Sequence, residues 1–96
     1  MDTERDRRII AVIRSLAPGE VASYGQIAAD AGYPAQSRRV GNLLAGSDLD
    51  LPWWRVVNAA GRLVPGLEVE QAGLLRVEGV AVDGGRVRNF RRSSRP

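Results

Sequence analysis

The sequence predicts a mainly α-helical domain with short β-hairpins, in the order of a winged helix-turn-helix. Three observations carry that expectation. Two short helical stretches, one opening at Ser23 and one spanning Ser37 to Ala45, are separated by Gly32-Tyr33-Pro34, the outline of a helix-turn-helix. Two hairpin-like segments follow, one around Asn58-Ala59-Ala60-Gly61 and one around Asp83-Gly84-Gly85. The 96 residues, 44% hydrophobic and 26% charged, suit one small globular domain with a modest core.

Thr3 is the N-cap candidate of the first helix, with Glu4 and Asp6 in the turn where the helix dipole favours anions. Ile9, Ile10, Val12, Ile13 and Leu16 form its apolar stripe, and Pro18-Gly19 ends it. Ser23 and Gln26 have the Ser-x-x-Gln spacing of a capping box on the second helix. Ile27 and Ala28 face inward there, and Gly32 closes the helix. The third helix turns Val40, Leu43 and Leu44 to one side and is terminated by Gly46. As the recognition helix it would expose Arg38, Arg39 and Asn42, and Gly41 would permit a close backbone or ligand contact despite costing about 1 kcal/mol relative to alanine.

Pro52-Trp53-Trp54-Arg55-Val56-Val57 holds both tryptophans of the chain. A strand would send the rings to opposite faces and a turn would splay them differently; either way one ring needs a cavity or a partner. Arg55-Val56-Val57 and Arg62-Leu63-Val64 read as the two arms of the first hairpin. A fourth helix spans Glu68 to Glu78, with Val69, Ala72, Leu75 and Val77 as its apolar residues and Gly79 as its stop. Val80-Ala81-Val82 and Arg86-Val87-Arg88 are the arms of the second hairpin, whose Asp-Gly turn is a strong local signal.

Cysteine and histidine are both absent, which excludes thiol and imidazole nucleophiles and thiolate metal sites; no cofactor or metal is expected. All fourteen basic residues are arginine, whose planar fork suits phosphates and base edges. Residues 86–96 carry five arginines and no acid, whereas residues 1–85 carry nine arginines against eleven acids. The division implied is a domain over 1–85 and an arginine-rich tail over 86–96, the tail fitting polyanion attraction and a solubilising end equally well. The mixed charges at the N-terminus do not read as a signal peptide, and no apolar run approaches the roughly 20 residues of a membrane span. The expected location is cytoplasmic, nucleoid-associated in a bacterium.

Four segments together resemble a known family. Pro18-Gly19-Glu20-Val21-Ala22-Ser23-Tyr24-Gly25-Gln26-Ile27-Ala28 is similar to the opening motif of the O6-alkylguanine-DNA alkyltransferase C-terminal domain, and Arg38-Arg39-Val40-Gly41 to its arginine-finger helix. Pro52-Trp53-Trp54-Arg55-Val56-Val57 resembles the Pro-Cys-His-Arg-Val active-site motif, and Leu74-Leu75-Arg76-Val77-Glu78-Gly79 its Leu-Leu-x-x-Glu-Gly segment. Their order and approximate spacing agree over residues 3 to 79. Trp53 stands at the place of the alkyl-accepting cysteine, as in the alkyltransferase-like subfamily, and Trp54 at the place of its activating histidine.

The resemblance implies a non-enzymatic sensor that flips O6-alkylguanine out of duplex DNA into a pocket and flags it for nucleotide excision repair. It implies Tyr24, Trp53, Trp54, Arg55 and Val56 as pocket residues, and Tyr24, Arg38, Arg39, Gly41 and Asn42 as DNA contacts. Arg38 is the residue implied to replace the flipped base, and Tyr24 to crowd its phosphate. Residues 63–68 correspond only loosely to the family's active-site loop. Arg55 is expected to bond backbone carbonyls or Glu78 beneath the pocket, and Asn58 to fix the following turn. Double-stranded DNA and excision-repair proteins are the implied partners of a monomer. Taken singly, Tyr24 and Trp53 also read as core aromatics and Arg38 as a solvated helix face, and the alternative function is a winged-helix DNA-binding regulator without lesion recognition.

Overall fold

The computed structural model describes residues 3–46 and 48–90. Helix α1 (Glu4–Arg14) starts where Thr3 accepts a hydrogen bond from the Asp6 amide, and it buries Asp6, Ile9, Ile10 and Ile13. Strand β1 (Ala22–Ser23) runs into α2 (Tyr24–Asp30), whose capping box is complete: Ser23 accepts from the Gln26 amide and Gln26 accepts from the Ser23 amide. Gly32 follows α2 at φ +92°, the left-handed conformation that ends a helix most readily without a Cβ. Helix α3 (Ser37–Gly46) includes Gly46 as its last residue rather than stopping before it. With α2 it forms the helix-turn-helix, and α1 packs across both.

Trp53–Arg55 form a single 3₁₀ turn, followed by β2 (Val56–Val57), α4 (Glu68–Val77), β3 (Val82–Asp83) and β4 (Arg86–Val87). The pairing of β2 departs from the sequence expectation. It lies parallel to β1, with Ala22 opposite Val56 and Ser23 opposite Val57. Successive strand residues point to opposite faces, so Val56 enters the core of α1, α2 and α3 while Val57 enters a second core with Leu63, Ala72, Leu75, Val82 and Val87. This pair is the seam between the two halves.

The first hairpin does not form as a two-strand ladder. Asn58 does fix the turn, its Oδ1 accepting from the amides of Ala60 and Arg62, and its own amide donates to the Arg62 carbonyl. The next ladder position would join Val56 to Val64. Instead the side-chain amide of Gln71 sits between them: its Nε2 donates to the Val56 carbonyl at 3.0 Å and to the Trp54 carbonyl at 3.1 Å, and its Oε1 accepts from the Val64 amide at 2.7 Å. Gln71 wedges the hairpin open and satisfies the backbone groups it separates. The displaced arm joins the second hairpin, with Arg62 bridged to Arg86 and the Leu63 amide bonded to the Gly85 carbonyl.

The second hairpin forms, with Val82 opposite Val87, but Asp83 is a strand residue opposite Arg86, so the turn is Gly84-Gly85 rather than Asp-Gly. Gly84 and Gly85 both have positive φ, at +59° and +77°, the requirement of a type I′ turn. Val87 is buried and Phe90 packs on the second core. The folded body therefore passes the boundary drawn at residue 85, because β4 supplies one wall of that core; Arg91, Arg92 and Arg95 lie outside the described residues.

Helix α4 corrects one more expectation. Its buried residues are Gln71, Ala72 and Leu75, while Val69 and Val77 are 90% and 87% exposed. At 3.6 residues per turn, positions 71, 72 and 75 share a face and 77 falls opposite it.

Two buried carboxylates cross-link the elements. Asp6 on α1 is 1% exposed and accepts from Arg39 of α3 at 2.7 and 3.0 Å and from Arg5 at 3.3 Å. Arg39 holds its carboxyl at a pKa of about 2 against the desolvation that would raise it, with Arg5 adding to the lowering. Glu78 is likewise held at about 2, chiefly by Arg55, against desolvation and with help from the Gly19 amide and Trp54. Both folded values lie below the ordinary 3.8 and 4.5, so the stabilisation is complete above the unfolded values and is lost as pH falls through the folded ones. Urea midpoints should therefore be level above about pH 5.5 and fall between about pH 4.5 and 2. Asp6→Asn and Glu78→Gln should each flatten that decline, and an equally steep decline in both variants would refute the assignment.

Candidate nucleic-acid interface

The capping box places Tyr24 at the first turn of α2, with its ring against α3. Across from it, the 3₁₀ turn presents Trp53. Together with Gly41, Leu44 and Ala45 of α3 and with Val64 and Leu67 of the opened hairpin, they line a cavity of about 270 Å³. The walls are mainly apolar. The size is slightly below the roughly 300–1,000 Å³ of typical small-molecule sites, which suits one flat ring system entering edge-first. Burial raises the Tyr24 pKa above its usual value, so its hydroxyl stays protonated at neutral pH and is available to donate.

The cavity shares a rim with a shallow open groove. Tyr24 and Gly41 line both, and Ser37, Arg38 and Asn42 complete the groove. Arg38 and Asn42 are exposed, and among the described residues Arg38 makes no ion pair. An exposed cation thus stands at the mouth of a mainly apolar pocket. Arg39 does something different: its guanidinium is bound to Asp6. Adjacent helix positions lie 100° apart, which sends Arg38 outward and Arg39 back towards α1. Arg39, expected on the exposed face of α3, instead anchors that helix to α1.

The five residues expected in the pocket divide in the same way. Tyr24 and Trp53 line it. Trp54 turns its ring at 89° to that of Trp53 and packs on the second core, with its Nε1 donating to Glu78 at 2.8 Å. Arg55 lies over the Trp54 ring at 5.1 Å, donates to both Glu78 oxygens and donates to the Leu16 carbonyl at 2.8 Å. Glu78 also accepts from the Gly19 amide at 2.8 Å. The expected Arg55–Glu78 pair beneath the pocket is therefore present. It ties the end of α1, the Pro18-Gly19 loop, the tryptophan turn and the end of α4 to one carboxylate. Val56 is fully buried and supports the floor without lining the cavity. Trp54, Arg55 and Val56 are a foundation, and Trp53 alone of the segment faces the cavity.

Leu44, Val64 and Leu67 were not among the candidate pocket residues, and Gln71 was not singled out at all. Gln71 is fully buried and sets the gap between the Trp53–Arg55 turn and the Val64 wall. The signal available in the sequence was a polar residue on the same helical face as Ala72 and Leu75.

Gly41 gives a separable test of the pocket. A Cβ there would meet only the Tyr24 ring, at 3.8 Å, an ordinary contact. Gly41→Ala should therefore fold, gaining up to about 1 kcal/mol of stability from helix propensity, while narrowing the rim shared by pocket and groove. Lower affinity for the pocket ligand with an unchanged or raised melting temperature is expected; a lower melting temperature would place the glycine's role inside the fold instead.

Comparison with known proteins agrees with this arrangement. The family described as 6-O-methylguanine DNA methyltransferase, DNA binding domain, matches residues 4–80. A DNA base-flipping protein of Vibrio parahaemolyticus serotype O3:K6 (strain AQ3810) is 42% identical over 81 residues, which covers 78% of this chain and 79% of that protein. A DNA base-flipping protein of Escherichia coli (strain K12) is 38% identical over 85 residues, covering 81% of this chain but 64% of the relative's length. Among solved structures, S. pombe Atl1 in complex with damaged DNA containing O6-carboxymethylguanine superposes with a TM-score of 0.74 at 28% identity, over 84% of this chain and 82% of that one. A variant of the M. tuberculosis O6-methylguanine methyltransferase gives 0.68 at 28% identity, over 88% of this chain and 55% of that one. With its helix-turn-helix, its tryptophan turn and a match over most of its length, the chain belongs to the family of the 6-O-methylguanine DNA methyltransferase DNA-binding domain.

Proposed function

We propose that this protein binds O6-alkylguanine in duplex DNA by taking the flipped base into the Trp53 pocket, without transferring the alkyl group. The observation that carries the proposal is the shared rim: an apolar cavity sized for one ring system opens beside a groove bearing the exposed Arg38. The base-flipping relatives and the Atl1 complex support it.

Rotating a base out of the stack costs a few kcal/mol, less where pairing is already weakened. Alkylation at O6 removes the N1 proton of guanine and so weakens its pair with cytosine. Arg38 enters the vacated space, where its planar guanidinium stacks on neighbouring bases and bonds the orphaned cytosine. Tyr24 crowds and bonds the phosphate of the rotated nucleotide. Gly41 and Ala45 let α3 approach a groove closely, and the minor groove suits a reader of damage because it carries little sequence information. Trp53 stacks on the base or its alkyl group, in the place where a transferase keeps its sulfur. The site then holds a lesion it has no nucleophile to repair, so the bound complex is a signal for excision, and nucleotide excision repair proteins are the partners that would read it.

The test compares affinities of the full chain for matched duplexes with and without O6-methylguanine. Stacking of about 1–3 kcal/mol per base corresponds to a preference of about 5- to 150-fold. A mass spectrum after incubation should show no added methyl group on the protein. Equal affinity for the two duplexes, or a methylated protein, would overturn the proposal.

A further inference from the structure

The second hairpin carries charge that the lesion pocket does not use. Arg62 stands directly opposite Arg86 in an antiparallel bridge, and Arg88 follows Arg86 by two residues, just past the end of β4. Side chains opposite one another share a face of a sheet, and Arg88 lines the same cavity as Arg86. That face is turned outward: the three arginines are exposed, while Leu63 and Val87 between them are buried. Like charges directly opposite are destabilising, yet among the described residues none of the three closes an ion pair. Asp83, opposite Arg86, is the one acid of that ladder. Arg86 is held in place by a 3.3 Å bond to the Ala60 carbonyl. A cavity of about 460 Å³ opens here, with Arg86, Arg88, Asn89 and Phe90 among its walls.

This face is rigidly joined to the pocket. The Leu63 amide bonds the Gly85 carbonyl and the Val87 amide bonds the Gly61 carbonyl, each at 2.9 Å. Val64, a pocket wall, follows Arg62 by two residues, a reach of at most about 7 Å. Duplex DNA carries one phosphate charge per about 1.7 Å of axis, so a duplex held at the pocket offers phosphates to cations this near.

We infer that Arg62, Arg86 and Arg88 form a second contact surface for duplex DNA, which binds backbone phosphates and adds affinity without reading the lesion. The inference rests on the DNA-binding reading above but concerns a different surface and a different observable. Phosphate neutralisation appears in the salt dependence of binding, with a slope of about −0.9 per contact in log K against log salt.

The experiment measures that slope for the full chain with undamaged and O6-methylguanine duplexes. The double variant Arg62→Gln/Arg88→Gln removes two side chains that hold no hydrogen bond within the described fold, so its melting temperature should match the parent. Its slope should be shallower by about 1.8 on both duplexes, equivalent to a loss between about 50 and 200 mM salt that is roughly tenfold smaller than the parent's. The lesion-to-undamaged affinity ratio should be unchanged. A control pair on the exposed side of α1, Arg7→Gln/Arg14→Gln, should keep the parent slope. An unchanged slope in the hairpin variant, an equal reduction in the α1 variant, or a selective loss of the lesion ratio would each overturn the inference. Failure of the lesion reading appears separately, as a ratio of one in the parent protein.

Discussion

Glu78→Ala is expected to lower the melting temperature by about 12–24 °C. The carboxylate and the Arg55 side chain are 11% and 13% exposed, so the pair is nearly buried. Removing one member leaves the Arg55 guanidinium, the Trp54 Nε1 and the Gly19 amide without their acceptor. Breaking such a pair costs about 3 kcal/mol, at the lower end of the buried range because its rim meets solvent. For a domain near 100 residues each kcal/mol shifts the midpoint by roughly 4–8 °C. Glu78→Gln keeps an acceptor for the Gly19 amide and the indole while deleting the charge, and should fall between the two. Thermal melts followed by tryptophan fluorescence report on this directly, since Trp54 touches the carboxylate. A shift of a few degrees in Glu78→Ala would show that the network is dispensable. Whatever the size of the shift, the pocket should suffer with it, because the same carboxylate fixes the turn that presents Trp53.

Trp53→Ala is expected to abolish most of the lesion preference while leaving the fold and the affinity for undamaged duplex nearly intact. Trp53 is half-buried and belongs to neither apolar core, in contrast to Trp54. Its loss therefore removes a wall of the cavity without opening a hole in the interior. The stacking forfeited is about 1–3 kcal/mol, or about 5- to 150-fold in the lesion-to-undamaged ratio. Trp53→Phe should recover part of that ratio, because a smaller aromatic face still stacks. A Trp53→Ala protein that keeps the full ratio would move the recognition surface elsewhere, to Tyr24 or the Val64–Leu67 loop. Paired with Gly41→Ala, which narrows the rim from the opposite side, this variant bounds the pocket from two walls.

The two adjacent tryptophans show how far a sequence carries the reading of such a site. Their place in Pro52-Trp53-Trp54-Arg55-Val56-Val57, together with the other three segments, pointed to the family. Nothing in the string separated their fates. A 3₁₀ turn sets the rings at 89°, sends one to the cavity and docks the other on Glu78 and Arg55. The adjacent pair Arg38-Arg39 divides by the same kind of rotation, one exposed beside the groove and the other clamped to Asp6. Neighbours in sequence diverge because each backbone step rotates the side chain by a fixed angle, while the partners that capture it come from distant segments.

The helices, the capping box of Ser23 and Gln26, the position of the second hairpin and the Arg55–Glu78 pair were legible in advance because their signals are local or belong to a recognised motif set. Capping and turn formation depend on atoms within a few residues, and those atoms are written consecutively. Tertiary structure alone decided the parallel pairing of β2 with β1, the inclusion of β4 in the second core, the outward face of Val69 and Val77, and the wedge of Gln71. Each of these is a competition among distant groups for one partner. The Val56 carbonyl and the Val64 amide could have met across a hairpin, and Gln71, from a helix further along the chain, satisfies both instead. The pocket's width rests on that outcome, which no local pattern around residues 56–64 records.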